Sequence, residues 1–168
     1  PQPQVPRSYD PPTSVASPAE LTNLTQTLSP ELRIVNVPQD PVEAGAFASW
    51  KPNQITTYSR PKFNLGNLEY EPAPIDPKTL QHEYGHQLQY ITGIGATRDF
   101  PEGAAGMENP DSPYQYGHVP RNITEGAADA ISGDFGYWSR LNTAERSQAH
   151  SIAEMMLAAA REKAAQGR

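Results

Sequence analysis

The stretch "TLQHEYGHQLQY", residues 79–90, carries two histidines four residues apart, with a glutamate directly after the first. Asp76 followed by Pro77 is a typical helix start, an N-cap and then the first helical position. Apolar residues recur at helical spacing across the stretch, at Leu80, Tyr84, Leu88 and Ile91. This periodicity predicts a helix that begins at Pro77 and ends at Gly93.

His82 and His86 share one face of that helix, because residues four apart are neighbours with Cβ atoms about 5–6 Å apart. Two imidazoles so placed can bind one zinc ion at about 2.0–2.1 Å. Glu83 projects about 100° further round the helix, so it lies beside the ion, where it can accept a proton from the attacking water. The order is the HExxH pattern of zinc metalloproteases. The alternative is a polar helix face open to solvent.

A second pair of candidate residues lies in "NITEGAADAIS", residues 122–132, within a helix predicted from about residue 120 to 132. A catalytic zinc needs three protein ligands and one open position. Glu125 is the natural third ligand, and Asp129, one turn further on, can accept the outer N–H of a zinc-bound histidine. The alternative is two solvated carboxylates, whose like charges would cost a few tenths of a kcal/mol at this spacing.

The two segments together resemble a known family. HExxH followed by a Glu-x-x-x-Asp helix is similar to the gluzincins, the thermolysin group, and resembles most closely the catalytic domain of anthrax lethal factor and related toxin-type zincins. There the glutamate ligand lies in a Tyr-Gly … Asn … Glu-x-x-Ala-Glu pattern. "YQYGHVPRNITEGAADAISGDF", residues 114–135, has a similar order, with Asp129 in place of the last glutamate. The resemblance covers about residues 46–160 and implies a zincin-like fold, a Zn²⁺ cofactor and peptide-bond hydrolysis.

The resemblance also implies a donor for the oxyanion of the tetrahedral intermediate. Tyr116 matches the tyrosine of the family pattern and is the first candidate for this catalytic role. His118 and Arg121 are the other candidates, because either could reach a site flanked by Glu125.

Two related site types fit this chain less well. In a metzincin, Gln89 would have to be a glycine and Thr92 the third histidine. A site liganded by Asp111 would leave Glu125 without a role. The gluzincin arrangement therefore remains the predicted one.

The remaining elements predict an α+β domain. "SPAELTNLTQTL" (17–28) is a helix with Ser17 as N-cap and Glu20 completing a capping box. "ELRIVNVP" (31–38) is a strand, and "AGAFASW" (44–50) and "QITTYS" (54–59) form a hairpin. Residues 60–74 are predicted to be loop. The last helix begins near Asn142, with Glu145 placed for a second capping box.

The resemblance implies that residues 18–165 form a small zincin-like fold. The composition of residues 1–17 predicts a proline-rich disordered or extended arm before it. A short mixed or antiparallel sheet would pack on the active-site helix, beside the second ligand-bearing helix and a C-terminal helix. We expect "QITTYS" to be the sheet edge that pairs with an extended substrate, the alternative being an interior strand. The loop from Gly93 to Pro120 would wall one side of the cleft.

The composition limits the kinds of partner that the protein can bind. The net charge is −6 with both signs scattered, which argues against nucleic acid. No apolar run is long enough to span a membrane. The chain has no cysteine, so a transition metal must be held by His, Asp or Glu. The lack of cysteine also fits a secreted or exported protein.

The sequence therefore predicts a small, monomeric zinc metalloendopeptidase that acts on a protein or peptide substrate. We expect it to be a secreted effector or toxin. Two alternatives keep the metal site: a zinc amidase that acts on cell-wall peptide, and a zincin-fold binding module without turnover. Glu83 argues against the binding module, because a structural zinc needs no base at that position.

Overall fold

The computed structural model of the chain describes residues 12, 14–38, 47–59, 61–71, 75–95 and 119–167. Its helices are α1 (Pro18–Leu28), α2 (Pro77–Thr92), α3 (Arg121–Ser132) and α4 (Thr143–Ala165), with a 3-10 turn at Trp138–Arg140. Its strands are β1 (Arg33–Pro38), β2 (Phe47–Lys51), β3 (Gln54–Ser59), β4 (Lys62–Asn64) and β5 (Glu69–Glu71). These elements make a small α+β domain, as the sequence predicts. None of the described helices combines the length and the apolar character needed to cross a bilayer.

The helix starts follow local capping chemistry. The Asp76 side chain accepts the backbone N–H of Lys78 at the start of α2. Asn142 and Glu145 form the reciprocal capping box predicted for α4. At α1 only half of the predicted box forms: Ser17 accepts the N–H of Glu20, but the Glu20 carboxylate pairs with Arg161 at 2.6 Å instead.

The larger sheet has the strand order β1-β3-β2, with β1 parallel and β2 antiparallel to β3. The predicted β2–β3 hairpin is confirmed, but the prediction that Gln54–Ser59 forms a sheet edge is wrong, because β3 is paired on both sides. Ile55, Thr56 and Thr57 are consecutive and all buried, so both faces of the strand are covered. Among the described strands, β2 is the edge strand that packs against α2.

The prediction of loop for residues 60–74 is also wrong in part. β4 and β5 form an antiparallel hairpin there, with Phe63 opposite Tyr70 and their ring centroids 5.1 Å apart. Gly66 and Asn67 favour loop in the sequence, but the same residue types are typical of a hairpin turn. Both strands have only three residues, which is too short for a clear alternating pattern.

Close helix packing positions the site. α2 packs against α3, and α3 packs in turn against α4. A Cβ added at Gly85 on α2 would lie 2.9 Å from Cγ2 of Ile131 and 3.1 Å from Cα of Ala128 on α3. The two helices can therefore approach this closely only because residue 85 has no side chain. Gly85 lies between His82 and His86, so this contact brings the HExxH face of α2 onto α3.

Candidate metal centre

Three donor atoms converge between α2 and α3. Nε2 of His82 and Nε2 of His86 lie 3.0 and 2.9 Å from Oε2 of Glu125, and the two nitrogens are 3.1 Å apart. Donors bound at 2.0–2.1 Å to one tetrahedral ion lie about 3.3 Å apart, so only a small expansion would admit a metal. His82 and His86 are buried, and the Glu125 side chain is 12% exposed. These three residues could hold a metal ion.

Asp129 fixes the orientation of His82. Its Oδ1 lies 2.7 Å from Nδ1 of His82, and since a carboxylate only accepts, Nδ1–H is the donor. The other oxygen, Oδ2, accepts the backbone N–H groups of Tyr137 and Trp138 at 2.8 and 2.7 Å. The side chain is completely buried. In its neutral form His82 keeps its proton on Nδ1 and presents the Nε2 lone pair to the site, as expected of a metal ligand.

Gln89 does the same for His86, and sequence reasoning missed it. The Gln89 amide donates from Nε2 to the carbonyl of Thr124 at 2.8 Å, so its Oε1 faces Nδ1 of His86 at 2.7 Å. Nδ1–H therefore donates to Gln89, so Nε2, which faces Oε2 of Glu125, is the nitrogen that would coordinate a metal. The sequence signal was present, because residues three apart are neighbours on a helix. Gln89 was interpreted only as a departure from the metzincin pattern.

Glu83 is buried next to this group. Within the described part of the chain, its Oε2 has no hydrogen-bond partner. Burial raises the pKa of this carboxyl group, which shows how poorly it is solvated. A buried carboxylate oxygen without a partner is costly, and such groups are often functional. This orphaned oxygen fits a site that receives a polar ligand, such as a water and a metal ion, beside the two histidines.

A second possible metal group shares His82 with Asp129 and Asp134. We favour the group that contains Glu125. Both oxygens of Asp129 already accept hydrogen bonds, and Oδ1 of Asp134 accepts the N–H of Phe135 at 2.8 Å. In contrast, the Glu125 group gathers three donor atoms about 3 Å from one another.

The charges at the site are strongly coupled. Burial alone would lower the pKa of His82, but hydrogen bonds to Asp129 and Glu125 outweigh burial and raise that pKa to about 10. Burial would raise the pKa of Glu125, but the contacts with His82 and His86 hold it well below its usual range. The metal-free site therefore keeps an ionised Glu125 and holds a proton on His82 at neutral pH. The proton on His82 balances part of the negative charge of the carboxylates. A bound dication would take the place of that proton.

This replacement predicts a pH dependence. At every pH below about 10 a metal ion must displace the His82 proton, so binding releases at least one proton. We expect the affinity for Zn²⁺, the ion predicted from the sequence, to rise about tenfold per pH unit between pH 6 and 8. Calorimetry in two buffers of different ionisation enthalpy measures the protons released. An affinity that is constant over this range would contradict the assignment of His82 as a ligand.

Tyr137 also belongs to the site, although nothing in the sequence indicated it. Its ring stacks on the His82 ring, with centroids 5.9 Å apart and an interplanar angle of 18°. The nearby Glu125 carboxylate and burial raise the pKa of its hydroxyl. The residue is placed there because Asp129 accepts its backbone N–H, a contact between residues eight apart in a turn. No periodic pattern predicts such a contact.

The structure thus brings together His82, Glu83, His86, Glu125 and Asp129 as the sequence predicts. Arg121, the first residue of α3, is exposed. Three residues considered for the site fall outside the described residues: Asp111, Tyr116 and His118. The predicted role of Tyr116 and His118 at the oxyanion therefore stays a prediction.

Comparisons of this chain with protein-family models, with curated proteins and with solved structures found no match.

Proposed function

We propose that this chain is a small zinc metallopeptidase that hydrolyses peptide bonds. One observation carries the proposal: Nε2 of His82, Nε2 of His86 and Oε2 of Glu125 lie within 3.1 Å of one another, beside the buried and unpartnered Oε2 of Glu83. The likeness of HExxH and the downstream Glu-x-x-x-Asp helix to the gluzincins supports the same reaction.

The donor set favours zinc. Two imidazole nitrogens and one carboxylate oxygen make a three-ligand set that leaves a fourth position open, as in zinc hydrolases. No cysteine is available to favour softer ions. When bound, the zinc ion would supply a Lewis acid that acidifies water and polarises the scissile carbonyl. Asp129 and Gln89 would hold the two imidazoles in the tautomers that the ion requires.

Glu83 is the proposed general base. It follows His82 directly, so it lies beside the ligands without joining them. Its carboxylate would accept the proton of the attacking water and return it to the leaving amine. The raised pKa that burial gives Glu83 suits this exchange, because a group that both accepts and returns a proton works best near the pH of the reaction.

Two further requirements are a donor to the oxyanion and a surface for the substrate backbone. Tyr116 remains the proposed donor. Tyr137 is a second candidate, because its ring stacks on that of His82 and the charge of Glu125 raises the pKa of its hydroxyl. For the substrate, β2 replaces β3 as the proposed partner, because β2 is the described edge strand that packs against α2.

Metal removal tests the proposal. A proteome extract is incubated with the zinc-loaded protein, and the new peptide termini are identified by mass spectrometry. We expect defined new termini, their loss after treatment with a chelator, and their return when stoichiometric zinc is added back. Termini that persist after chelation, or a zinc-loaded protein that produces none, would contradict the proposed activity.

A further inference from the structure

Two exposed arginines lie at the rim of the metal centre. Arg121 precedes Glu125 by four residues on α3, so it shares that face of the helix, one turn nearer the N-terminus. Arg140 approaches from the 3-10 turn, where its Cζ lies 5.5 Å from the centroid of the Tyr137 ring. Since Tyr137 stacks on His82, Arg140 lies on the Tyr137 side of the site. Both arginines act electrostatically on the Tyr137 hydroxyl, although Glu125 acts on it more strongly.

Among the ion pairs of the described residues, none involves Arg121 or Arg140. Arg121 is placed for an i,i+4 pair with Glu125, but the Glu125 carboxylate is directed to His82 and His86 instead. Both guanidinium groups are therefore accessible for a ligand.

The chain has a net charge of −6, and four carboxylates lie at the site, those of Glu83, Glu125, Asp129 and Asp134. A bound dication and the two guanidinium groups would offset these negative charges, so that an anionic ligand could approach this part of an acidic protein. Guanidinium groups bind carboxylates with two parallel hydrogen bonds, so they select for that chemistry.

We propose that Arg121 and Arg140 form a carboxylate-binding subsite, so that the substrate of this peptidase carries a carboxylate close to the scissile bond. This inference rests on the proposed function and specifies its substrate class. Arg121 and Glu125 have Cβ atoms about 5–6 Å apart, and an extended peptide advances about 3.3–3.6 Å per residue. The carboxylate therefore lies within about two residues of the scissile bond. It belongs to an Asp or Glu side chain or to the C-terminus of the peptide.

A binding experiment tests the subsite without requiring turnover. Two hydroxamates that bind zinc, succinic monohydroxamic acid and its carboxamide analogue, differ only in one carboxylate. We expect the zinc-loaded protein to bind the carboxylate form about tenfold more tightly, as for a charged hydrogen-bonded pair. The preference should fall below about twofold in the Arg121→Gln/Arg140→Gln double variant, because no guanidinium remains at the rim.

Lys163→Gln is the control for the loss of a positive charge elsewhere, since it removes one such charge from the last turn of α4. It should keep the tenfold preference. Equal binding of the two probes by the wild type, an unchanged preference in the double variant, or an equal loss in Lys163→Gln would overturn the inference. A protein that shows the arginine-dependent preference but cleaves no peptide would contradict the proposed function alone.

Peptide substrates then identify the source of the carboxylate. Peptides are compared with Glu or Gln within two residues of the cleaved bond and with a free or amidated C-terminus. A preference for Glu in amidated peptides assigns the subsite to an acidic side chain. A preference that depends on the free C-terminus assigns it to the terminal carboxylate. Cleavage that is indifferent to both changes would contradict the subsite.

Discussion

The Glu83→Gln variant is expected to cleave peptides about 10²–10⁴-fold more slowly than the wild type while it binds zinc equally well. Glutamine has the size and shape of glutamate but cannot accept the proton of the attacking water. Because the donor atoms at the site come from His82, His86 and Glu125, the substitution removes no ligand. The free energy of unfolding should stay the same or rise slightly, since a buried amide costs less to desolvate than a buried carboxylate.

The measurement pairs kcat on a peptide identified from the new termini with zinc content per chain. Glu154→Gln is the matched control, because it is the same substitution at an exposed position of α4. It should keep wild-type kcat. A Glu83→Gln protein that retains full activity would show that Glu83 is not the base, whereas inactivity of the wild type as well would favour the binding module.

The Asp129→Asn variant is expected to lose about 10–100-fold in zinc affinity. Its amide oxygen can still accept the N–H groups of Tyr137 and Trp138, which leaves the NH₂ group facing Nδ1 of His82. His82 must then accept at Nδ1 and carry its proton on Nε2, where the lone pair for the metal should be. The site would therefore favour the wrong tautomer, even though the substitution is nearly isosteric.

Zinc affinity is measured by competition with a chromophoric chelator, and circular dichroism checks that the variant is folded. Asp134→Asn is the informative control, because Asp134 belongs to the other possible metal group with His82 and Asp129. If Glu125 completes the site, Asp134→Asn should change the affinity less than about twofold, as for most surface substitutions. An equal loss of zinc in both variants would place the ion between Asp129 and Asp134 instead.

The cluster of possible metal ligands could be predicted because local helix spacing places the residues of each pair on one face. His82 and His86 share a helix face by their spacing, and so do Glu125 and Asp129. The contact between the two helices was inferred from chemistry, since two histidines need a third ligand and the carboxylates need a cation. The role of Gln89 could have been inferred from the same helical geometry. A glutamine amide, however, can bind almost any polar partner, so the spacing alone does not identify His86 as the partner of Gln89.

The parts that sequence did not predict depend on contacts between distant segments. "QITTYS" has the β-branched residues of any strand, and only the tertiary pairing of β1 and β2 on both sides makes it the central one. Tyr137 reaches the site because Asp129 accepts hydrogen bonds from backbone N–H groups of the turn that follows α3. Such a contact has no period in the sequence. Neither strand order nor this turn could be read from local propensity.

Because no side chain separates α2 from α3 at Gly85, the spacing of the coordinating atoms is set by the hydrophobic core. Helix packing therefore brings the three donor atoms together, whereas zinc fingers fold only when metal is present. Under the proposed function, we expect the protein to stay folded when a chelator removes zinc and to bind zinc again without a refolding step. The concentration of free zinc in the surroundings would then set the fraction of active molecules reversibly.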